Sequence, residues 1–275
     1  MIRTYPKVAC FFSRIRLLAF LFYIIPSLAL ASGGGISASS NTNPEMLTPV
    51  APISTQAVKE EKILPYQAEY KISSNSLTTI ATRSLRKQNN NWLLSQHAKL
   101  VFIRVSEKSV IEDSDDGLRP LHYEYSNNMS SRQDQSIDFN WTTQSAADRK
   151  YRKPWSSKIS ADTFDQLGAQ LKMREALMYD RLNGEISQTV VNRGKHKTYT
   201  IKKIGEETIG SPAGKLRTVK LLRSRPGSSS ETIVWLAKDW NYLIVRLEQR
   251  EDDEIYSLEL IKATLNGAAV KGLSI

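Results

Sequence analysis

The residues that could act as catalysts in this sequence lack the spacings that catalysis requires. Gly210-Ser211-Pro212-Ala213-Gly214 differs from a Gly-x-Ser-x-Gly nucleophile elbow because its serine comes one position early. The histidines, His97, His122 and His196, are too far apart to form a metal-ligand motif. We therefore expect a turn at 210–214 and histidines in ordinary strand or surface positions.

An acidic cluster could in principle bind calcium, because Glu112, Asp113, Asp115 and Asp116 supply carboxylate oxygens ahead of Gly117. Counted from Asp113, the glycine comes at the fifth position, whereas an EF-hand loop has it at the sixth. No glycine-rich phosphate loop or dinucleotide motif occurs in the sequence. We predict no catalytic residue, no metal site and no cofactor, and therefore a protein that is not an enzyme.

The densest basic cluster is Arg149-Lys150-Tyr151-Arg152-Lys153, which is followed by Pro154 and Trp155. Cations interleaved with aromatic residues bind nucleic acid in cytosolic proteins, but outside the cytoplasm they favour anionic lipid, lipopolysaccharide or glycan. The candidate anion-binding residues are Arg149, Lys150, Arg152 and Lys153. The alternative interpretation is a solvated loop that leads into the helix described next.

One helix is predicted, from about Asp162 to Leu182, and a stripe of apolar residues follows one of its faces. The stripe consists of Phe164, Leu167, Leu171, Met178 and Leu182. Asp162 or Thr163 is the expected N-cap, and Asp165 would lie in the first turn, where a carboxylate favours the helix dipole. Such a stripe requires an apolar surface to pack against.

Glu175 lies in the middle of this stripe, where a carboxylate must be paired, neutralised or left at a wet opening. Arg174 points about 100° away around the helix, so we expect the partner to come from a strand. The alternative places Glu175 at a frayed helix end in water. The predicted ligand-binding residues, at the polar mouth of a cavity, are Gln170, Arg174, Glu175 and Trp141.

Alternating or β-branched segments separated by turn residues predict strands on both sides of the helix. Those before the helix are 66–73, 77–88, 91–105, 107–113, 119–127 and 137–141. Those after it are 185–191, 198–204, 215–223, 232–237, 242–249 and 255–265. The expected fold class is mainly β (α+β): a single curved antiparallel β-sheet or partly open barrel of about ten strands, with the helix packed on its concave side.

The first 31 residues have the features of a secretory signal peptide: basic residues, an apolar run at 17–30, and Ala29-Leu30-Ala31 as a cleavage site. An uncleaved anchor is the alternative, although the run is shorter than a bilayer span. We expect a disordered tether at 32–63, one β-rich domain at 64–267 and a C-terminal tail at 268–275. The predicted location is the periplasm.

Cysteine and charge limit the expected chemistry further. Cys10 is the only cysteine and precedes the predicted cleavage site, so disulfides, thiol nucleophiles and a lipid-anchoring cysteine are not expected. The full chain carries a net charge of +10, and removal of the four basic residues of the leader leaves +6. A basic exported protein can contact anionic envelope components, or its charge can simply keep its surface solvated.

Several segments resemble a bacterial family known as the domain of unknown function 3108 family. They are Asp116 to Pro120 with Tyr123, Phe139-Asn140-Trp141, the helix residues Asp165, Leu167, Gln170, Leu171 and Arg174, Ser211 to Gly214 with Thr218, and Thr232, Trp235 to Ala237, Asp239 and Tyr242 to Gln249. The resemblance covers about 64–265. Gly168 and Ile244 depart from it, since the family usually has serine and proline at these positions. The resemblance implies a fold but no activity.

Two hypotheses about function remain open at this stage. The first is a periplasmic protein that binds or handles an apolar or amphipathic envelope component in the concavity between sheet and helix, in an architecture similar to that of periplasmic lipoprotein carriers. The second is an interaction or assembly factor that engages an envelope protein through its surface. A hydrolase acting through scattered carboxylates is a distant third. A continuous apolar cavity would favour the first hypothesis, and a filled core would favour the second.

Overall fold

The computed structural model describes residues 63–74, 77–114, 116–251 and 254–273. The predicted signal peptide, all but the last residue of the predicted tether, and Asp115 of the acidic cluster lie outside these residues. The described part is mainly β, with one α-helix and one large curved sheet. The sheet has 16 strands, so the expectation of about ten was wrong. Among the described residues, no helix has both the length and the apolar character needed to cross a bilayer.

The strands before the helix form a continuous meander in which each strand pairs with the next in sequence. They are β1 (Tyr66–Ser73), β2 (Thr78–Gln88), β3 (Asn91–Leu100), β4 (Ile103–Ser114), β5 (Gly117–Asn127), β6 (Gln135–Asn140), β7 (Ser145–Asp148) and β8 (Trp155–Lys158). A 3-10 turn at Ser131–Gln133 lies between β5 and β6. Two-residue turns join several of these strands, as expected for an antiparallel meander.

A short strand, β9 (Thr163–Phe164), leads into helix α1 (Gln166–Met178), and a second meander follows. Its strands are β10 (Glu185–Asn192), β11 (Lys195–Ser211), β12 (Gly214–Ser224), β13 (Glu231–Ala237), β14 (Leu243–Glu251), β15 (Glu254–Leu265) and β16 (Ala268–Ala269). β9 pairs with β10 in parallel, and all other strand pairs are antiparallel. Residues 268–273, from the predicted tail, pair with the sheet, because β16 pairs with β15 and Leu273 pairs with Lys215.

The two meanders become one sheet because β1, from the first, pairs with β15, from the second. β8 and β9 are then the two edges. The sheet curls until its ends approach: the Arg193 backbone N–H donates to Oε1 of Gln135 at 3.0 Å, and the Ser157 hydroxyl lies 2.8 Å from Nε2 of His196. The result is a partly open barrel.

Alternation along the strands directs the apolar residues inward. In β1, Tyr66, Ala68, Tyr70 and Ile72 are buried, whereas the residues between them face outward. The same alternation continues through the other long strands, so the apolar side chains form one main core inside the curl of the sheet. α1 lies in this interior, where it contacts β4, β5, β9 and β10.

The helix differs from its prediction at its first turn. It begins at Gln166, and Asp165 is its N-cap, because the Asp165 carboxylate accepts the backbone N–H groups of Leu167 and Gly168. The predicted caps, Asp162 and Thr163, precede the helix, since Thr163 belongs to β9. The expected single apolar stripe was also incomplete, because residues on several faces of α1 are buried by the surrounding sheet.

The strand predicted at 91–105 is in fact two strands joined by a turn at Val101 and Phe102. This turn was missed because it contains none of the glycine, proline, asparagine or aspartate residues that usually mark one. Val101 adopts a φ of 53°, a region that β-branched residues rarely enter. The short strands β7, β8 and β9 were also missed, since two to four residues carry too little alternation to detect.

A buried hydrogen bond links the two meanders near the join. The Tyr70 hydroxyl, on β1, donates to the carbonyl oxygen of Ile244, on β14, at 3.0 Å. Tyr70 is completely buried. Because neither group can reach water, loss of one leaves the other unpaired.

Tyr70→Phe should therefore lower the free energy of unfolding by about 1–3 kcal/mol, measured by chemical denaturation. Tyr242→Phe is the matched control, because the Tyr242 hydroxyl is half-buried and has no hydrogen bond within the described residues. Equal stability of Tyr70→Phe and wild type would contradict the role assigned to this bond.

Candidate functional site

A cluster of buried polar groups surrounds the N-terminus of α1. Asp165 is fully buried, and the Ser109 hydroxyl, from β4, donates to its Oδ2 at 2.7 Å. Its Oδ1 accepts the backbone N–H groups of Leu167 and Gly168 at 2.9 and 2.8 Å. Burial raises the pKa of Asp165 to about 6, although these hydrogen bonds lower it in part. The cap thus ties the helix start to the sheet.

A second buried carboxyl, that of Glu107, lies near Asp165 and belongs to β4, the strand that also carries Ser109. Glu107 is 2% exposed, and the Tyr123 hydroxyl donates to its Oε1 at 2.5 Å. The pKa of Glu107 is raised to about 8, because the effect of burial, with a smaller one from the charge of Asp165, outweighs the lowering by the Tyr123 hydrogen bond and by Arg83. Glu107 is therefore largely neutral at pH 7.

Two buried arginines, Arg83 and Arg174, lie near this cluster. Arg83, on β2, is buried, and its Nη1 donates to Oε1 of Gln170 at 2.8 Å. Arg174 is also buried: its guanidinium lies 4.9 Å from the centre of the Tyr66 ring, and its Nη2 donates to the Asn241 carbonyl at 2.9 Å. Two of the predicted site residues, Gln170 and Arg174, thus bind the helix to the sheet.

Glu175 is 3% exposed, so the alternative that places it in water at a frayed helix end is wrong. Its Oε2 lies 2.7 Å from Lys172 Nζ, and its Oε1 lies 3.6 Å from Arg181 Nη1. The expected strand partner was therefore also wrong: one partner is one turn earlier on α1, and the other follows the helix. Lys172 precedes Glu175 by three residues, a spacing that places both side chains on one face of the helix.

A hollow lies between α1 and strands β10 to β14. Its volume is about 50 Å³, and its lining includes Gln170, Gln188, Arg223, Thr232 and Gln249. Specific sites for small molecules usually enclose about 300–1,000 Å³ and are mainly apolar. The hollow has room for a few water molecules but not for an acyl chain.

Trp141, the fourth predicted ligand-binding residue, contacts β5 and β6. Its Nε1–H donates to the carbonyl oxygen of Pro120 at 2.7 Å, and the guanidinium of Arg119 lies 5.7 Å from its ring centre. It also stacks on Phe139, with ring centres 6.5 Å apart. These contacts are structural, and they place Trp141 on the sheet rather than among the helix residues with which it was predicted.

The four basic candidates, Arg149, Lys150, Arg152 and Lys153, lie in the turn between β7 and β8 and not in a loop that enters the helix. Asp148 shapes this turn: its Oδ1 accepts the N–H groups of Lys150 and Tyr151 at 3.0 and 2.8 Å, and its Oδ2 accepts that of Ser136. All four basic side chains are exposed, and none has an ion pair with the described residues.

Sequence reasoning missed an exposed apolar tip formed by Val101, Phe102 and Met129. Their exposed fractions are 77, 53 and 42%. One signal could have revealed the turn: a strand at 91–105 would have 15 residues, whereas most strands have three to ten. Splitting it would have placed Val101 and Phe102 at a hairpin tip.

The fold and these contacts define a barrel-like β-sheet whose interior is filled by a helix. The chain belongs to the family described as "Protein of unknown function (DUF3108)", which matches residues 65–261. Asp165 and Arg174, two positions that carried the resemblance, both hold the helix in place. No protein with curated annotation matches the chain.

Two solved structures are similar over most of the chain. One is a "Beta-barrel-like Protein of Domain of Unknown Function DUF1849" from Brucella abortus, with 7% identity and a TM-score of 0.49, covering 74% of this chain and 98% of that one. The other, from Parabacteroides distasonis and provisionally described as a lipoprotein, has 12% identity and a TM-score of 0.29, covering 74% and 96%. Neither supports an argument about function.

The raised pKa of Glu107 predicts a pH-dependent stability. The unfolded chain releases this proton near pH 4.5, whereas the folded chain holds it to about pH 8. The contribution of Glu107 is therefore fully present below pH 4.5 and is lost as the pH rises towards 8. Glu107→Gln removes this titration, so wild type should lose stability relative to the variant between about pH 5 and 8.

Chemical denaturation at several pH values measures this difference. Glu185→Gln, at an exposed position of β10, is the control and should follow wild type throughout. A constant difference between wild type and Glu107→Gln across the whole range would contradict the buried neutral state of Glu107.

Glu175→Ala tests the ion pairs at the end of α1. Lys172 and Arg181 are 27 and 55% exposed, so both can return to water when the carboxylate is removed. We expect a loss of about 1–2 kcal/mol, below the cost of leaving a fully buried charge unpaired. Glu175→Gln should cost less, because the amide keeps the shape and part of the hydrogen bonding.

A double-mutant cycle with Lys172→Ala isolates the pair, and chemical denaturation gives the four free energies. A coupling energy of zero would show that Glu175 is held by packing alone.

Proposed function

We propose that this protein is a non-enzymatic protein of the cell envelope that engages its partner through its outer surface, without enclosing a ligand. The observation that carries the proposal is the filled interior. α1 occupies the concave side of the sheet, and the hollow beside it measures about 50 Å³. Of the two hypotheses drawn from the sequence, a filled core favours the surface-acting factor over the cavity-binding protein.

The state of Glu175 supports the same conclusion. A cavity with a polar mouth at this residue would need its carboxylate to face an opening. Instead Lys172 and Arg181 pair with it, and it is almost fully enclosed. Gln170 and Arg174 likewise bind groups of the protein itself. Gln170, Arg174 and Glu175 are therefore used to hold the helix.

The proposal that the protein is not an enzyme rests on the burial of the two carboxyls with raised pKa values, Glu107 and Asp165. Raised pKa values of the kind found for Glu107 and Asp165 often mark catalytic sites. A general acid or base must, however, come within hydrogen-bonding distance of its substrate. Glu107 and Asp165 are 2 and 0% exposed, and both already have partners in the protein. Asp165 caps α1, and Glu107 accepts a hydrogen bond from Tyr123 of the neighbouring strand. Assignment to the envelope rests on the predicted signal peptide at 1–31.

Native mass spectrometry of the processed chain, purified from its own periplasm, tests this proposal. The expected result is the mass of the chain without a stoichiometric ligand inside it. Val234→Phe is a useful variant, because Val234 lines the hollow and phenylalanine would fill it. A bound lipid that disappears in Val234→Phe, while folding is intact, would contradict the proposal. A lipid that persists in the variant binds outside the hollow and agrees with it.

A further inference from the structure

One end of the sheet projects three apolar side chains into solvent. Val101 and Phe102 form the turn between β3 and β4, and Met129 follows β5. The Asn128 side chain joins the two segments, since its Nδ2 donates to the Phe102 carbonyl at 2.9 Å and its Oδ1 accepts the Arg104 N–H at 2.6 Å. Single exposed apolar residues are common, but three together at a projecting tip indicate a binding surface.

The backbone conformation at the tip is unfavourable for the residue that occupies it. A two-residue hairpin turn with positive φ favours asparagine or glycine, whereas this turn has valine at a φ of 53°. A β-branched residue in this region is strained, and such strain is found where function requires it. The Asn128 hydrogen bonds hold the strained turn in one conformation. The tip is therefore presented rigidly.

Two cations lie directly behind the tip. Lys99 and Arg104 pair in register on β3 and β4, and both are exposed. Neither forms an ion pair with the described residues, unlike Lys203 and Lys238, which both bind Glu206. Lys99 and Arg104 also line an open hollow of about 560 Å³ on the outer face. Unneutralised cations around a hollow favour an anionic group as the occupant.

The spacing between cations and apolar tip matches the depth profile of a bilayer surface. Strands rise about 3.3 Å per residue, so Lys99 and Arg104 lie about 7 Å behind Val101 and Phe102. Surface-bound apolar groups enter the boundary between headgroups and acyl chains by about 5–10 Å. With the tip at that depth, both cations would lie at the level of the phosphate groups.

The basic turn of β7 and β8 adds charge at the same end. In an antiparallel meander alternate loops share one end, so the β3–β4, β5–β6 and β7–β8 connections lie at the same end of the sheet. The last of these carries the exposed residues Arg149, Lys150, Arg152 and Lys153, and the β5–β6 connection carries exposed Arg132. Each cation near an anionic membrane contributes about 1 kcal/mol to binding.

We propose that this end of the sheet is a membrane-binding surface, in which Val101, Phe102 and Met129 enter an anionic phospholipid bilayer while Lys99, Arg104 and the basic turn contact its phosphate groups. The tip is convex and projecting, which suits a bilayer better than a peptide that needs a groove. The inference rests on the proposed surface-acting function and names the surface and its partner.

Co-sedimentation of the processed chain with vesicles tests the proposal. Vesicles of phosphatidylcholine alone are compared with vesicles that also contain phosphatidylglycerol. We expect binding only with phosphatidylglycerol, and weaker binding as salt increases, because exposed charges are screened beyond about 8 Å at physiological ionic strength. Val101→Gly with Phe102→Asn should reduce the binding constant about tenfold or more. Lys99→Gln with Arg104→Gln should reduce it about thirtyfold.

The tip variant also controls for folding. Positive φ at the first central residue alone favours glycine at that position, so the melting temperature of Val101→Gly with Phe102→Asn should stay the same or rise while binding falls. Ile204→Asn removes an exposed apolar residue elsewhere, and Lys203→Gln removes a paired cation, so both should bind like wild type. Absence of wild-type binding to phosphatidylglycerol vesicles, or equal binding by the tip variant, would overturn the proposal. Either result would leave the native mass test of the surface-acting function unaffected.

Discussion

A helix enclosed by a β-sheet must find a partner for every polar group that it buries, and α1 buries an unusual number of them. The N-cap Asp165 is satisfied by the first backbone N–H groups of the helix and by Ser109. Arg174 donates to the Asn241 carbonyl and lies over the Tyr66 ring, and Glu175 forms an ion pair with Lys172. Because an unpaired buried charge is costly, these pairs allow only one position of the helix in the barrel.

A helix fixed in this way fills the space that a ligand would need. The family resemblance at Asp165, Gln170 and Arg174 is thus explained by helix placement, without a binding site inside the sheet. The unusual chemistry is instead on the outside, where apolar residues are exposed at Val101 and Phe102 and cations lack ion pairs. The charged groups at α1 are used for contacts within the protein, whereas the cations near the tip lack ion pairs with the described residues, which is the division expected of a scaffold with a surface function.

The sequence predicted the elements that have a regular alternation or periodicity of apolar residues. Alternation of buried and exposed residues identified most long strands, and the helix was expected in the correct part of the chain. The family and the curved sheet were also predicted. The position of the N-cap depended in part on a distant contact, because the Ser109 hydroxyl also donates to the Asp165 carboxylate. The ion pair of Glu175 with Lys172, three residues earlier on α1, is a local contact that the prediction of a strand partner overlooked.

The turn at Val101 and Phe102 was missed for another reason. Valine and phenylalanine favour strands, and in this turn the fold overrides that preference. That conflict between residue type and conformation is visible only in the structure. A β-branched residue retained in a turn that disfavours it indicates a function for the tip.

Native-state hydrogen exchange of the amides of α1 tests the central claim, that the helix is a fixed part of the core, most directly. If it is, these amides should exchange only through global unfolding, as slowly as those of β1 and β15, with the same dependence on denaturant. Exchange of α1 through a separate opening of low free energy, while the strands remain protected, would show that the helix moves as a lid over a ligand space and would contradict this account.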